Sequence, residues 1–529
     1  MLEKMTSSQR LILAFALSFV FFMAYTAIFP PKPMNAEQNA TVQTDALTNT
    51  VVSKTTEGTS SSVDLGHDTS ATTVTTSTDV VLTTLTGHNY VLKIDTLGRI
   101  DQKEMLEEKF ADEDTGNAKL VSETGAKPLY IRFADKELNK EAISTPYTSN
   151  VKEASLVDGT VSVTLTQKLS QLTVVKELKF YSDGHYDVNI KLSQDKRYYV
   201  YLGMHPTFSD KQMMAVEGVM VDTGEHLITI IEDGDADAMT SYNDVNLVSS
   251  FSQYFASIFY GLDKDTTVKV DRDRDDNPVV FVEGLQDFTF NGYIGPKDYK
   301  ILHAIKPELI NAIEYGWFTF AAAPLFQLLM FLHDLVGNWG WAIVLLTIII
   351  RVVLFPLTFK GMISMAKLKE VSPKVKELQA KHKGDPQRMN AAVMALYKKE
   401  GANPLGGCLP LLMQIPVFFA IYRVLLNAVE LKGAEWMLWI TDLAHMDPTF
   451  VLPILMGASM YYQQRITPSN FTDPMQEKIF RFLPIIFTFF FVTFPAGLVL
   501  YWLVNNIFSI VQQFVVNNRF QAMKKAKEV

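Results

Sequence analysis

The residue with the most distinctive chemical setting is an arginine inside an otherwise apolar run. Residues 341–359 read WAIVLLTIIIRVVLFPLTF, and Arg351 stands nine positions before Lys360, where the charged sequence resumes. In a helix this separation places the guanidinium roughly 13 Å from the charged end, beyond easy reach of water for its side chain. Because an arginine in hydrocarbon costs on the order of 3 kcal/mol on insertion scales, it must be hydrated or paired.

Neutral polar side chains in the neighbouring apolar runs could receive this arginine. None of the five apolar runs in the C-terminal half contains an acidic residue. The candidate lining residues are Thr347, one helical turn before the arginine, together with Gln414, Tyr501, Trp502 and Asn505. This composition predicts a water-filled cavity that is polar inside and apolar outside. The alternative is that Arg351 bonds backbone carbonyls and only fixes a helix bundle.

No pattern in the sequence predicts catalysis. Asp271–Asp275 places an aspartate at every second position, as a calcium loop does, but Asp276 replaces the required glycine and Val282 the final glutamate. We interpret it as an acidic surface loop. The histidines show no metal-ligand spacing, and no phosphate-binding G-x-x-x-x-G-K-[ST] motif occurs. We therefore expect no catalytic residue, no metal site and no bound cofactor.

The charge distribution divides the 529 residues into two halves with different surroundings. Residues 1–340 hold 28 Lys and Arg against 46 Asp and Glu, whereas residues 341–529 hold 20 against 11. A split of this size is typical of a chain whose halves face different compartments. The acidic half resembles a soluble domain, and the basic half is interrupted by long apolar runs.

The N-terminus predicts a membrane anchor over residues 1–30. The 19-residue apolar run 11–29 follows Lys4 and Arg10 and precedes a proline-rich stretch without a clear cleavage motif. A removed signal peptide is the alternative. Residues 31–78, rich in Thr and Ser, predict a flexible linker.

Residues 79–305 predict an exported β-sandwich domain. Strand-like alternation covers 174–181 and 185–192, and Asp183-Gly184 between them is a strong hairpin signal. Residues 306–338 change to helical periodicity and predict an amphipathic helix lying in the outer membrane interface.

Residues 339–529 predict five membrane spans, at about 339–359, 406–428, 449–463, 480–494 and 496–516. The loop 360–404 holds ten Lys and Arg, whereas 429–448 holds one, Lys432, against four acids. By the positive-inside rule both termini are cytoplasmic and the large domain lies outside. The fold class is thus a polytopic α-helical membrane protein with six spans. Two spans are short, so the bilayer beside them is expected to thin or the helices to extend.

Residues 360–402 predict a cytoplasmic helical hairpin, which Gly384-Asp385-Pro386 breaks into two arms. Met365 and Leu368 lie on the apolar stripe of the first arm, and Met389 and Tyr397 on that of the second. Most of this stripe forms the seam of the hairpin, and Met-rich surfaces also accept varied apolar partners. The basic faces suit contact with anionic lipids or ribosomal RNA.

Several segments of the C-terminal half resemble the signature of the YidC family of membrane insertases. They are MALYKKE at 394–400, NPLGGCLPLLMQIP at 403–416, LPILMG at 452–457, TDPMQ at 472–476 and FPAGLVLY at 494–501. The resemblance covers about 339–517, and the exported domain after an anchor resembles the Gram-negative branch, which is related to the mitochondrial and chloroplast insertases.

This resemblance implies a five-helix insertase core whose hydrophilic groove opens to the cytoplasm and to lipid. Arg351 corresponds to the groove arginine, with Thr347 beside it, and Trp502 stands where well-known members have a tyrosine. The implied function is insertion and folding of integral proteins of the bacterial inner membrane. The implied partners are nascent membrane proteins, the Sec translocon with its accessory subunits, and ribosomes or targeting factors. A solute transporter or channel that uses Arg351 as an anion site is the alternative.

Overall fold

The computed structural model describes residues 80–528 except 112–115, 124, 158, 207–214, 225–226, 314, 316–318, 383–384, 402–408 and 468–473. The predicted N-terminal anchor and linker lie outside the described residues. The described part forms a β-rich domain followed by a helical region.

Alternating sequence in the acidic half forms strands. The described strands are β1 (Val81–Thr86), β2 (Tyr90–Asp95), β3 (Ile100–Met105), β4 (Ile131–Phe133), β5 (Thr148–Ser149), β6 (Glu153–Ser155), β7 (Val161–Lys168), β8 (Thr173–Phe180), β9 (His185–Leu192), β10 (Tyr198–Tyr201), β11 (Gly218–Thr223), β12 (Ile228–Glu232), β13 (Thr240–Tyr242), β14 (Val245–Phe251), β15 (Phe255–Tyr260), β16 (Val268–Arg272), β17 (Pro278–Gly284) and β18 (Phe288–Pro296).

These strands form three sheets around a shared apolar core. The sheet orders are β3-β2-β1-β6, then β13-β16-β17-β10-β4, then β12-β11-β14-β15-β18-β9-β8-β7-β5. The predicted β-sandwich is thereby confirmed. In the predicted hairpin Phe180 pairs with Tyr186, and Gly184 takes a positive φ of 94° that favours glycine in the turn.

The helical region follows the apolar runs of the sequence. The described α-helices are α1 (Lys136–Ser144) within the β-rich domain, then α2 (Tyr299–Ile305), α3 (Thr319–Val336), α4 (Trp339–Lys381), α5 (Pro386–Glu400), α6 (Leu409–Asn427), α7 (Val451–Ile466), α8 (Pro474–Phe491) and α9 (Ala496–Glu528). Short 3-10 helices cover Glu108–Phe110, Pro307–Ala312 and Val429–Leu431.

The segment predicted as one interfacial helix over 306–338 is divided. Pro307 begins a 3-10 helix, and Ile313 ends it by turning to φ −84° and ψ 105°, which buries its side chain in the apolar core. Helix α3 then runs to Gly337, whose N–H donates to the His333 carbonyl at 2.7 Å with φ at 69°. This left-handed cap ends the helix.

By length and composition, three described helices are apolar enough to cross a membrane: Thr319–Val336, Trp339–Leu378 and Ala496–Met523. Gln414–Asn427 and Phe480–Phe491 are shorter apolar helices, and α7 has 16 residues. Each of the five predicted spans overlaps a helix, although the described positions 428, 449–450 and 492–494 lie outside the helices. Helix α3 has the length of a span although the sequence places it in the interface, and its interfacial position stays a prediction.

Helix α4 continues without a break from the first predicted span into the first arm of the hairpin. It has 43 residues and includes Pro356 and Pro373. The expected boundary at 359/360 is therefore a change of composition and not the end of a helix. An apolar cluster packs α3 and α4 against α6, α7 and α9 and reaches the nine-stranded sheet through Met220, Leu247 and Ile258.

Candidate functional site

The guanidinium of Arg351 lies between α4 and α9. Its Nε donates to the Asn505 side-chain oxygen at 2.6 Å, and Nη2 donates to the Asn505 backbone carbonyl at 3.3 Å. The residue is 8 % exposed. The charge is thus bound by a neutral amide and a carbonyl dipole, which offset part of its desolvation cost.

Asn505 connects three helices through this contact. Its side-chain oxygen also accepts from the Gln414 amide of α6 at 3.2 Å. Its backbone carbonyl accepts from the Ser509 hydroxyl at 2.8 Å. The structure therefore brings together three of the predicted site residues, Arg351, Gln414 and Asn505.

Helix α9 presents a buried polar stripe toward the other helices. Its members recur at helical spacing and are Asn505, Asn506, Ser509, Gln512 and Gln513. Gln512 donates to the Arg351 carbonyl at 3.5 Å, and Asn506 donates to the Ser459 hydroxyl of α7 at 3.1 Å. Ser459 was not predicted as a site residue, since only the packing of α7 on α9 reveals its role.

Thr347 and Tyr501 are buried beside the site but do not hydrogen-bond the guanidinium. The Thr347 hydroxyl donates to the Ile343 carbonyl of its own helix at 2.7 Å. Tyr501 is 3 % exposed and lies within electrostatic range of Arg351. Neither residue adds a direct hydrogen bond to the charge.

Trp502 belongs to an aromatic cluster. Its ring centroid lies 4.7 Å from that of Phe418, 4.7 Å from Phe491 and 6.0 Å from Phe487. These rings join α6, α8 and α9. Trp502 is partly buried among them, so the rings that it contacts belong to this chain.

The site is polar inside and apolar outside. The neighbours of Arg351 along α4, Val352 and Val353, are 57 % and 70 % exposed, and Ile507 and Val511 of α9 are 49 % and 53 % exposed. Such exposed apolar faces suit contact with lipid tails.

The predicted hairpin residues lie mostly in the seam between α4 and α5. Leu368 is buried with Val371 and Val375, and Met365 and Tyr397 pack against them. Met389 is half-buried outside this cluster. Lys374 of α4 and Glu400 of α5 form an ion pair, 2.7 Å apart, between the two helices. Partner contact by these residues stays a prediction, whereas Met394, 58 % exposed, offers a free apolar side chain.

Comparison with known proteins matches each half of the chain to a protein family. Residues 331–525 match the family described as 60Kd inner membrane protein, and residues 82–328 match the family described as YidC periplasmic domain. The membrane protein insertase YidC of Campylobacter jejuni is 45 % identical over 519 residues, which cover 97 % of this chain and 96 % of that protein. This chain belongs to the YidC family.

Two further relatives show the same full-length relationship. The YidC insertase of Wolinella succinogenes is 45 % identical over 99 % of this chain and 97 % of its own. That of Helicobacter pylori strain 26695 is 43 % identical over 99 % and 98 %. A crystal structure titled as an active YidC insertase is 19 % identical, covers 81 % of this chain and 91 % of its own, and superposes with a TM-score of 0.36. The family assignment therefore rests on sequence.

The matched family descriptions and the apolar helices agree with a location in the bacterial inner membrane and with a large periplasmic domain. The names of the relatives describe insertion of membrane proteins and name no catalytic reaction. They give no support to the transporter or channel hypothesis.

Proposed function

We propose that this chain is a membrane protein insertase and chaperone that guides nascent apolar segments from the cytoplasm into the inner membrane. The observation that carries the proposal is the Arg351–Asn505–Gln414 network, a single charge held by neutral groups and flanked by exposed apolar surface. Family membership, through relatives named for this function, supports the same conclusion.

The charge attracts the segment that must cross the membrane. When a polar or acidic tail leaves water, hydrogen bonds and the nearby guanidinium replace part of its hydration. This replacement reduces the desolvation penalty of the tail. Asn505 keeps the guanidinium oriented because it bonds both Nε and Nη2. No energy source beyond partitioning is needed for this step.

The apolar segment follows a different path beside the same helices. The exposed faces of α4 and α9 adjoin the polar site, so a nascent helix can contact lipid while its tail contacts Arg351. Burial of apolar surface is favourable by about 25 cal/mol per Å², which drives the segment into the bilayer. The insertase releases it sideways, and the substrate retains no covalent link to the protein.

The decisive experiment substitutes Arg351 and varies the charge of the substrate tail. For Arg351→Ala we expect about tenfold less insertion of a substrate with an acidic tail, the effect of losing about 1.4 kcal/mol, and little change for a neutral tail. Insertion is measured by protease protection in proteoliposomes. Arg351→Lys retains the charge and restores part of the activity. Arg481→Ala, which removes an exposed arginine of α8, is the matched control.

Equal loss for both tails would contradict the electrostatic role of Arg351. Site-specific crosslinks from a stalled nascent chain test the route directly. We expect them at positions beside Arg351 and Trp502, and crosslinks to the periplasmic domain alone would overturn the groove proposal. Ion conductance in liposomes separates an insertase from a channel, since only the channel conducts.

We further propose that the Sec translocon and its accessory subunits cooperate on larger substrates, and that ribosomes or targeting factors and anionic lipids contact the basic hairpin. The hairpin's accessible lysines support this proposal. Crosslinking of ribosome-bound complexes to the Met394→Cys variant, in a Cys408→Ser background, tests the hairpin contact.

We place both termini in the cytoplasm on the charge asymmetry of the loops. If the cysteine of the Met394→Cys variant were labelled only by a reagent confined to the periplasm, that result would contradict the topology.

A further inference from the structure

The β11–β12 hairpin of the periplasmic domain carries two carboxylates at its open end. Glu217 immediately precedes β11 and Asp233 immediately follows β12, and the strands pair Gly218 with Glu232. The Asp233 N–H donates to the Glu217 carbonyl at 3.1 Å. The two acidic side chains are therefore held as neighbours by the register of the sheet.

A buried histidine from a different part of the sheet system joins this pair. His205 follows β10, and the backbone there is fixed by the Met204 N–H, which donates to the Ala126 carbonyl at 3.1 Å. The His205 ring nitrogen Nε2 lies 2.8 Å from Asp233 Oδ2. His205 is 9 % exposed. One donor atom from each of His205, Glu217 and Asp233 lies within 4.8 Å of the other two.

Two atoms of this cluster are enclosed without a satisfactory partner. Among the described residues, His205 Nδ1 and Asp233 Oδ1 make no hydrogen bond of normal geometry, although the Pro206 carbonyl lies beside the ring. A buried polar atom left in this state costs about 1–3 kcal/mol. Adjacent carboxylates add repulsion that a cation removes.

We propose that His205, Glu217 and Asp233 bind a zinc ion, with water completing the coordination. One imidazole and two carboxylates form a ligand set that tetrahedral Zn²⁺ accepts, at about 2.0–2.2 Å from each ligand atom. The site lies in the periplasmic domain and is separate from the membrane groove. Its three ligands are 12 and 16 positions apart, a spacing that matches no sequence motif.

A zinc ion here joins the segment after β10 to a hairpin that packs on the membrane-proximal helices. Asp222 of β11 accepts from the Asn311 amide of the 3-10 helix at 2.9 Å, and Met220 lies in the cluster that includes Leu302 and Leu309. The ion therefore stabilises the face of the periplasmic domain that rests on those helices. Its binding is expected to raise the stability of this hairpin.

The test titrates Zn²⁺ into the full-length chain in detergent micelles after removal of metals by a chelator. Calorimetry is expected to show one saturable site, with affinity at least about tenfold weaker in His205→Ala and in Glu217→Gln. The matched control is His88→Ala, which removes an exposed histidine of the same domain and should retain the site. Saturating Zn²⁺ should raise the thermal unfolding midpoint of the wild type and of His88→Ala only.

Two results would overturn the proposal. One is the absence of a saturable site in the wild type, in which case a protonated His205 balances the carboxylates. The other is Zn²⁺ binding that His205→Ala and Glu217→Gln leave unchanged. Circular dichroism of each metal-free variant confirms that it is folded. If His205→Ala unfolds, the milder Glu217→Gln decides between these outcomes.

Discussion

The bond from Arg351 to Asn505 shows how a membrane-embedded charge is retained without an acidic partner. A carboxylate would neutralise the guanidinium and remove the attraction for substrates that we propose, whereas an amide and a carbonyl orient it and leave its charge intact. Of the two bonds, one goes to a backbone carbonyl, as in the interpretation that Arg351 fixes the helix bundle, and the other goes to the side chain of Asn505, which the sequence names as a lining residue.

Lys176 and Lys103 are buried in the core of the periplasmic domain. Lys176 of β8 is fully enclosed and donates to the Gly98 and Leu129 carbonyls, each at 2.8 Å. Lys103 of β3 donates to the Ile294 carbonyl. Burial lowers the pKa of each lysine to about 7 because desolvation disfavours the ammonium form.

The lowered pKa values predict that the periplasmic domain gains stability in alkaline solution. Between pH 7 and the unfolded pKa of 10.5, the unfolded chain binds protons that the folded chain does not, so stability rises with pH. We expect the urea midpoint for loss of the β-sheet circular dichroism signal to increase from pH 7 to pH 9 in the full-length chain.

Lys176→Met should reduce this rise by about half, since Lys103 retains its own contribution. Lys191→Met, at an exposed position of the neighbouring strand β9, serves as the control and should retain the full rise. An unchanged pH dependence in Lys176→Met would show that this lysine keeps its proton throughout.

At the scale of elements, close packing of α7 on α8 depends on a single glycine. A methyl group at Gly457 would collide with the hydroxyl of Thr488, which itself donates to the Pro484 carbonyl at 2.7 Å. Small residues allow helices to approach in a membrane, where dispersion and hydrogen bonds drive association. Asn506 and Ser459 then join α7 to α9.

We predict that Gly457→Ala destabilises the helical core by about 1–3 kcal/mol, the usual effect of overpacking. The added methyl forces α7 and α8 apart. Unfolding in mixed micelles, followed by tryptophan fluorescence, measures the change. Ala458→Val on the exposed face of α7 is the control. The double substitution Gly457→Ala with Thr488→Ala should recover stability, and a failure to recover would show that the methyl collides elsewhere.

At the scale of the whole molecule, the β-rich domain is joined to the helical core by buried polar contacts. The Gln253 amide donates to the Leu426 carbonyl at the end of α6 at 2.9 Å. The Tyr299 N–H at the start of α2 donates to Glu430 at 2.9 Å. Lys432 lies 5.6 Å from the centre of the Tyr254 ring. These contacts hold the domain at a defined position on the core.

Glu430 makes this junction sensitive to pH. Its Oε2 is enclosed without a partner among the described residues, although part of the residue remains accessible. Burial, aided by Asp298, raises the pKa of Glu430 to about 7, whereas the Tyr299 N–H and Lys109 oppose the shift. The stabilising effect of the protonated carboxyl is complete below the ordinary pKa of 4.5 and is lost as pH rises to about 7.

The junction should therefore loosen between pH 5 and pH 7. Hydrogen exchange of α2 peptides, corrected for the intrinsic rate at each pH, is expected to increase in the wild type and to stay constant in Glu430→Gln, which remains neutral. Glu435→Gln removes an exposed carboxylate of the same loop and should behave as the wild type. Equal exchange at both pH values in the wild type would contradict the assignment.

The sequence by itself was sufficient for features that depend on local chemistry. Long apolar runs predicted membrane-spanning helices, and Asp183-Gly184 between alternating segments predicted the β8–β9 hairpin. Because Arg351 is isolated among aliphatic residues, its charge was predicted to need water or a polar partner. Each inference used neighbouring residues only, because helix period, turn geometry and desolvation act over a few positions.

Tertiary structure alone decided which distant residues meet. Asn505 is 154 positions from Arg351 in the sequence, and the packing of α9 on α4 brings the two together. Lys176 lies on an alternating strand, and only the structure shows that its side chain faces the core. His205 reached Glu217 and Asp233 through strand pairing that no spacing rule encodes. The physical reason is that these contacts depend on the register of sheets and the crossing of helices, which the whole core determines together.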